Sequence, residues 1–219
     1  MIAQATDYAE LVEQLPPDST VVLRDVSWEE YEELLDAVGE ASGLRISYDE
    51  GRLQIVTLST THEMYADLVK LLVGLLSVRF RTKVLFFGSA TMKQSRRRKG
   101  AEPDGCFYVQ TAELVEKKKV IDFEHDPPPD IVVEIDLHHE SLSKFPIYVA
   151  LGVPEIWRYD EKELAIYHLH NDRYDLAESS RSLPLLNGRT LTEFLNRSQL
   201  ESQYEVLIAF EVWLRTQAQ

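Results

Sequence analysis

Cysteine is nearly absent from this 219-residue chain, where Cys106 stands alone. A single thiol excludes an intramolecular disulfide and a cysteine-only zinc site, and a reducing compartment is the simpler expectation. Long apolar runs are missing as well. No segment approaches the roughly 18 consecutive apolar residues of a membrane span, and the opening "MIAQATDYAELVEQL" has neither the basic start nor the apolar core of a secretory signal. A cytoplasmic location is therefore expected. Positive charge is scarce: Lys plus Arg number 23 against 37 Asp plus Glu, a formal net charge of -14. That balance opposes long-range attraction to nucleic acid or anionic lipid and counts against an unselective DNA binder. It leaves room for a local site, because Arg96, Arg97, Arg98 and Lys99 concentrate four cations, and screening limits distant charges to about 8 Å at physiological salt. This cluster reads either as a phosphate contact or as a solvated loop tip.

Low-complexity tracts and internal repeats are also lacking, so the chain reads as folded throughout. One domain over residues 1–219 is expected, with a helical flank over 1–42, a core over 43–178 and a helical extension over 179–219. Residues 7–15 look helical. A second helix is predicted to begin at Ser27, where Ser27-Trp28-Glu29-Glu30 has the form of a capping box. "LRISYDEGRLQIVTL" alternates around Gly51 as a hairpin does. The next segment offers Ser59, Thr60 or Thr61 as N-cap of a helix whose buried face is expected to include Met64, Leu68, Leu71, Leu72, Leu75 and Leu76. Strands are expected over 83–91 and 104–110, then a short charged helix over 111–118. "EIWRYD", "ELAIYHL" and "RYDLAES" continue as short strands. Pro146 fits the first turn of a helix, with Ser141 or Ser143 as N-cap and Gly152 as the stop. Helices covering a mixed sheet give an α/β or α+β fold. The C-terminal "LESQYEVLIAFEVWLRTQ" carries apolar residues on more than one face, which suggests burial against the body or against a second copy in a homodimer.

The chemistry concentrates in "PDIVVEIDLHHESLSK", Pro129 to Lys144. In an extended strand Glu134 and Asp136 point to one face, roughly 6.6 to 7 Å apart, while Val133 and Ile135 point to the other. Asp130 lies roughly 13 Å from Glu134 along the strand, too far to share an ion with it. In "AEPDGCFYVQ", Pro103 keeps the chain extended and Asp104 stands at the head of an apolar strand. If the two strands are neighbours, Asp104 and Glu134 converge. A pair of carboxylates in a small space repel, and a divalent ion relieves them; Mg2+ characteristically takes one or two protein carboxylates and keeps several waters. Lys144, in the turn that opens the next helix, can reach the same cavity. A cation beside a lysine suits phosphodiester hydrolysis. The plainer readings are a strand acid paired with a base at Glu134, a turn residue at Asp104 and a solvated first-turn lysine at Lys144. His138 and His139 face opposite ways if extended, and His62 has no histidine four residues on, so a histidine metal site is not expected.

"EPDGCFYV", "PDIVVEID" and "SKFPIYVALGVPEIWRYD", preceded by "LRISYDEGRLQIVTLSTTHE", resemble the bacterial Uma-two family of restriction-type endonucleases, from about Ser27 to the C-terminal helix. The resemblance implies the PD-(D/E)XK nuclease fold, a mixed central sheet with flanking helices that uses Mg2+ or Mn2+ to cut DNA. On this pattern the PD pair falls on Pro103 and Asp104 and the second acid on Glu134, so Asp104 and Glu134 are the implied metal ligands. The sequence departs at the lysine of E-x-K, where Asp136 stands, and the resemblance places the lysine at Lys144. Glu63 in "THEMYADL" matches the extra acid that such nucleases add from the first core helix. Metal-dependent DNA cleavage is thus expected, with a catalytically inactive DNA-binding or protein-interaction module of the same fold as the alternative.

Overall fold

The structure is a computed structural model that describes residues 15–39, 43–137 and 141–217. The helix expected over 7–15 lies outside these residues apart from Leu15, and so do His138 and His139. Two sheets form the frame. Strands β1 (Thr20–Leu23), β2 (Leu44–Asp49), β3 (Arg52–Thr57), β5 (Met92–Gln94) and β6 (Lys99–Ala101) build an antiparallel sheet in the order β1-β3-β2-β6-β5. Strands β4 (Leu85–Phe86), β7 (Gly105–Tyr108), β8 (Ile131–Ile135), β9 (Glu155–Tyr159), β10 (Leu164–His170) and β11 (Arg173–Ala177) build the other, in the order β11-β10-β9-β8-β7-β4. Only β8 and β9 pair in parallel within it.

The helices are α1 (Trp28–Val38), α2 (Thr60–Phe80), the short α3 (Ala112–Val115), α4 (Phe145–Leu151), α5 (Gly188–Arg197) and α6 (Gln203–Gln217). Ser27 caps α1 in the expected capping box, its side chain accepting from Glu30 N–H while Glu30 reaches back to Ser27 N–H. The hairpin around Gly51 forms β2 and β3, with Ile46 opposite Ile55 and Tyr48 opposite Leu53. Tyr31 of α1 stacks on Tyr48 with ring centroids 4.9 Å apart. Gly100 on β6 permits that approach, because a Cβ there would lie 2.2 Å from the Tyr31 hydroxyl.

Parallel strands cannot be joined by a tight turn, and α4 supplies the crossover between β8 and β9. Both faces of β8 are buried as a result. Ile131, Val133 and Ile135 pack into the cluster that holds Val69, Leu72 and Val73 of α2. Val132 packs with Ile147, Tyr148 and Leu151 of α4. Strand alternation therefore aims Glu134, like Val132, towards α4.

Several expectations need correction. Met64 and Leu71 are exposed, at 50% and 41%; α2 instead turns Tyr65, Ala66, Val69, Leu72, Val73 and Leu76 inward, because its buried stripe is set by contact with the sheet. The strand expected over 83–91 shrinks to Leu85 and Phe86. The N-terminal flank is not wholly helical, since β1 pairs with β3 there. Neither Ser141 nor Ser143 is the N-cap of α4. That position belongs to Lys144, which ends a 3-10 turn over Ser141–Lys144 and makes no side-chain cap, with Pro146 in the first turn as expected. Asp130 ends the proline-rich entry to β8 as a structural acid: Oδ2 accepts from Val109 N–H, Thr111 N–H and the Thr111 hydroxyl.

Candidate active site

Asp104, Glu134 and Lys144 meet. Strands β7 and β8 pair with Gly105 opposite Val133, and Asp104 N–H donates to Val133 O at 2.9 Å, so the two acids sit side by side at the end of the pairing. Ile135 N–H donates to Asp104 Oδ2 at 2.7 Å. Lys144 Nζ donates to Glu134 Oε2 at 2.8 Å and to the Glu102 carbonyl at 3.3 Å. All three residues are buried, at 1%, 2% and 5% exposure. Lys144 is therefore not the solvated lysine of the plainer reading, and burial of its ammonium is offset by the carboxylates around it.

Three further residues complete the cluster. Arg45 on β2 donates from Nε to Asp104 Oδ1 at 3.0 Å and from Nη2 to Glu63 Oε1 at 2.9 Å. His62, at the start of α2, places Nε2 3.3 Å from Asp104 Oδ2. Tyr148 donates its hydroxyl to Glu134 Oε1. Lys144 and Tyr148 are one helical turn apart, which is why both reach the same carboxylate from α4. Among the described residues Glu63 joins the cluster only through Arg45, and with its side chain 43% exposed it marks the edge where the cluster meets solvent. Glu102 fixes the approach to Asp104: its carboxylate accepts from Ile46 N–H at 2.8 Å and from the Thr91 hydroxyl at 2.7 Å.

The two acids are held in different protonation regimes. Burial alone would raise Asp104, but the hydrogen bond and charge of His62, with Lys144 and Arg45, outweigh it and hold the carboxyl down at about 2. Burial dominates at Glu134, and with the neighbouring Asp104 charge it lifts the carboxyl to about 7 against the pull of Lys144 and Tyr148. Burial would lower Lys144, yet Glu134 and Asp104 raise it, so the amine keeps its proton. His62 follows the same logic: burial lowers it, and the Asp104 hydrogen bond and charge raise it further. Tyr148→Phe removes a hydrogen bond to the charged form of Glu134 and is expected to raise its titration by about one pH unit. Carboxyl-carbon NMR titration reads this directly, and an unmoved midpoint would show that the hydroxyl does not restrain the carboxylate.

Asp136, at the position of the E-x-K lysine, is engaged by Arg158 of β9, whose Nε lies 2.5 Å from Oδ2. The basic cluster stands apart at the β5–β6 tip. Arg96 pairs with Glu124 at 3.3 Å, Arg98 Nη2 donates to the Tyr48 hydroxyl at 3.3 Å, and Lys99 pairs with Asp49 and, at 3.5 Å, Glu50; Arg97 is exposed. Sequence reasoning missed Arg45, His62 and Tyr148. Tyr148 carried a usable signal, four residues after Lys144 in a helix already expected. Arg45 carried none, since its role depends on β2 of one sheet meeting the head of β7 in the other.

A hard cation fits this donor set. Each carboxylate oxygen offers about two lone pairs. Among the described residues, Asp104 Oδ1 accepts from Arg45, Glu134 Oε1 from Tyr148 and Glu134 Oε2 from Lys144, so each keeps one lone pair, whereas Oδ2 of Asp104 faces both Ile135 N–H and His62. No group of three His, Cys, Asp or Glu donors that could hold a metal occurs among the described residues. Mg2+, which needs only one or two carboxylates and keeps its waters, asks for no such group.

Residues 28–199 match the Uma2 family, described as "Putative restriction endonuclease". The chain belongs to the Uma2 family. Among solved structures it is similar to "a putative nuclease belonging to DUF820 from Anabaena variabilis ATCC 29413", at 15% identity and a TM-score of 0.50, over 85% of this chain and 99% of that one. At that identity the likeness establishes the shared fold. No curated protein sequence matches. Membership of Uma2 supports a nuclease, and no helix among the described residues is long and apolar enough to cross a membrane.

Proposed function

We propose that this Uma2 protein is a metal-dependent endodeoxyribonuclease of the restriction type that takes Mg2+ or Mn2+ at Asp104 and Glu134. One observation carries the reading: a lysine ten residues beyond Glu134 places its ammonium 2.8 Å from that carboxylate, beside a second acid that immediately precedes the neighbouring strand. When bound, the ion polarises a phosphate oxygen and acidifies water. The other roles belong to the chain. Asp104 is kept ionised by His62 and Arg45 and supplies a fixed negative charge. Glu134 is oriented from both sides by Lys144 and Tyr148. Lys144 keeps its proton and offsets the negative charge that grows on a phosphate under attack, in a site dry enough to make that charge effective. Glu63 supports this arrangement from the rim by holding Arg45. Arg96, Arg97, Arg98 and Lys99 contribute phosphate contacts along the DNA backbone, which fix position and not sequence.

Plasmid incubated with the purified protein and Mg2+ or Mn2+ is expected to be nicked or linearised, and Glu134→Gln is expected to reduce the rate by about 10²-fold or more. Equal cutting by both proteins would trace the activity to a contaminant. No cutting of any DNA would favour the second reading, an inactive nuclease-fold module that binds DNA or protein. That reading draws on the fact that every oxygen of the carboxylate pair already faces a donor from the chain. Calorimetric titration with Mn2+ separates the two, because only a working site takes up the ion.

A further inference from the structure

A cavity of about 410 Å³ adjoins the carboxylate cluster and shares two residues with it, Arg45 and Glu102. Its lining grades from buried to exposed. Arg45 is buried, Glu102, Phe87 and Phe123 are half-buried, and Lys119 and Val120 are exposed at the mouth. At the inner end Arg45 donates to Asp104, to Glu63 and to the Leu44 carbonyl, which leaves an N–H on either Nη free among the described residues. Glu102 accepts from Thr91 at one oxygen and from Ile46 at the other, so each oxygen keeps a lone pair. Lys119 makes no ion pair among the described residues. The Phe123 wall is also fastened to the basic turn: its carbonyl accepts from Gln94 Nε2 at 2.7 Å, and the next residue, Glu124, accepts from Arg96 Nε at 3.3 Å.

A donor beside an acceptor, two phenyl rings and a lone cation at the mouth are the three things a nucleotide asks of a site: partners for a base edge, a surface to stack on and a charge for its phosphate. We propose that this cavity takes one unstacked nucleotide of a DNA strand, with its base against Phe87 and Phe123, its Watson–Crick edge on Arg45 and Glu102, and its phosphate beside Lys119. The inference rests on the nuclease reading for its ligand and deepens it, because it makes single-stranded or locally opened DNA the substrate. An apolar ligand would strand the Arg45 and Glu102 groups without partners, and a bare anion would meet the Glu102 carboxylate. A paired base has both faces covered and its edge occupied, so an intact duplex offers nothing that this lining can bind. The carboxylate cluster agrees, since Asp104 and Glu134 are 1% and 2% exposed and lie below any surface on which a stiff duplex would rest. The basic turn fastened to the Phe123 wall then follows the same strand outward.

Fluorescence anisotropy of a labelled single strand of about ten nucleotides, read with the full-length protein in EDTA so that nothing is cut, tests this. The wild type is expected to bind the strand about tenfold or more tighter than the same sequence as a duplex. Phe123→Leu keeps the apolar bulk and removes the ring, and is expected to weaken strand binding by about fivefold or more with an unchanged circular dichroism spectrum. Lys119→Glu changes an exposed side chain, where folding is not at issue, and is expected to weaken it by about tenfold. Free dCMP is expected to compete far less well than the strand, and equal competition would assign the cavity to a mononucleotide and overturn the proposal. Duplex binding as tight as strand binding overturns it too, as does indifference to Lys119→Glu or to a folded Phe123→Leu. The plasmid result stays separate: cleavage without a strand preference sinks this inference alone, and a strand preference without cleavage sinks the nuclease reading alone.

Discussion

Lys144→Met is expected to reduce DNA cleavage by about 10²- to 10³-fold and to cost about 3–5 kcal/mol of stability above pH 7. Both effects come from one contact. The methionine fills much of the same space but leaves Glu134, 2% exposed, with the Tyr148 hydroxyl as its remaining side-chain donor. The pH dependence identifies the cause. An acid whose folded value is raised above its ordinary 4.5 contributes stability that is fully present below that value and is lost as pH rises through the folded one. Glu134 already sits at about 7, and losing the ammonium pushes it higher. The gap between variant and wild type should therefore be small near pH 4.5 and widen through neutral pH. Urea denaturation at both ends of that range measures it, and an equal loss at both would assign the effect to packing instead of the buried charge.

Asp104→Ala is expected to be as damaging by the opposite route. It leaves three buried donors without their acceptor: Arg45 Nε, His62 Nε2 and Ile135 N–H. Removing one partner of a buried ion pair costs about 3–5 kcal/mol, and calorimetric uptake of Mn2+ should disappear with it. Here the sign of the pH effect reverses. A carboxyl lowered from 3.8 to about 2 in the fold contributes stability that is present above 3.8 and lost as pH falls through 2. That contribution is about 2 kcal/mol, so the deficit of the variant should shrink by about that amount in acid. A deficit that stays constant down to the acid limb would show that the wild-type carboxylate is not held ionised by its neighbours.

Much of the architecture was legible because it follows from local rules. The Ser27–Glu30 box, the turn at Gly51 and the stop at Gly152 each rest on backbone geometry that a few adjacent residues set. Misreadings occurred where burial depends on what packs against an element. Met64 and Leu71 carry the right chemistry for the inner face of α2 and point outward, and β1 is a strand only because β3 is there to pair with it. Of the residues that the structure brings together, Asp104, Glu134 and Lys144 were candidates from residue type and family pattern, and Glu63 from that pattern alone.

The sequence by itself determined the inventory: an acid within one strand and an acid just before another, a lysine opening the following helix, a single thiol and a deficit of positive charge. Tertiary structure decided what those groups do to one another. Only the pairing of β7 with β8 sets Asp104 beside Glu134, only the crossover through α4 turns Lys144 and Tyr148 onto Glu134, and only the meeting of the two sheets brings Arg45 to Asp104. The physical reason is that Coulomb and hydrogen-bond energies depend on distance in space and on exclusion of water, neither of which is a property of separation along the chain.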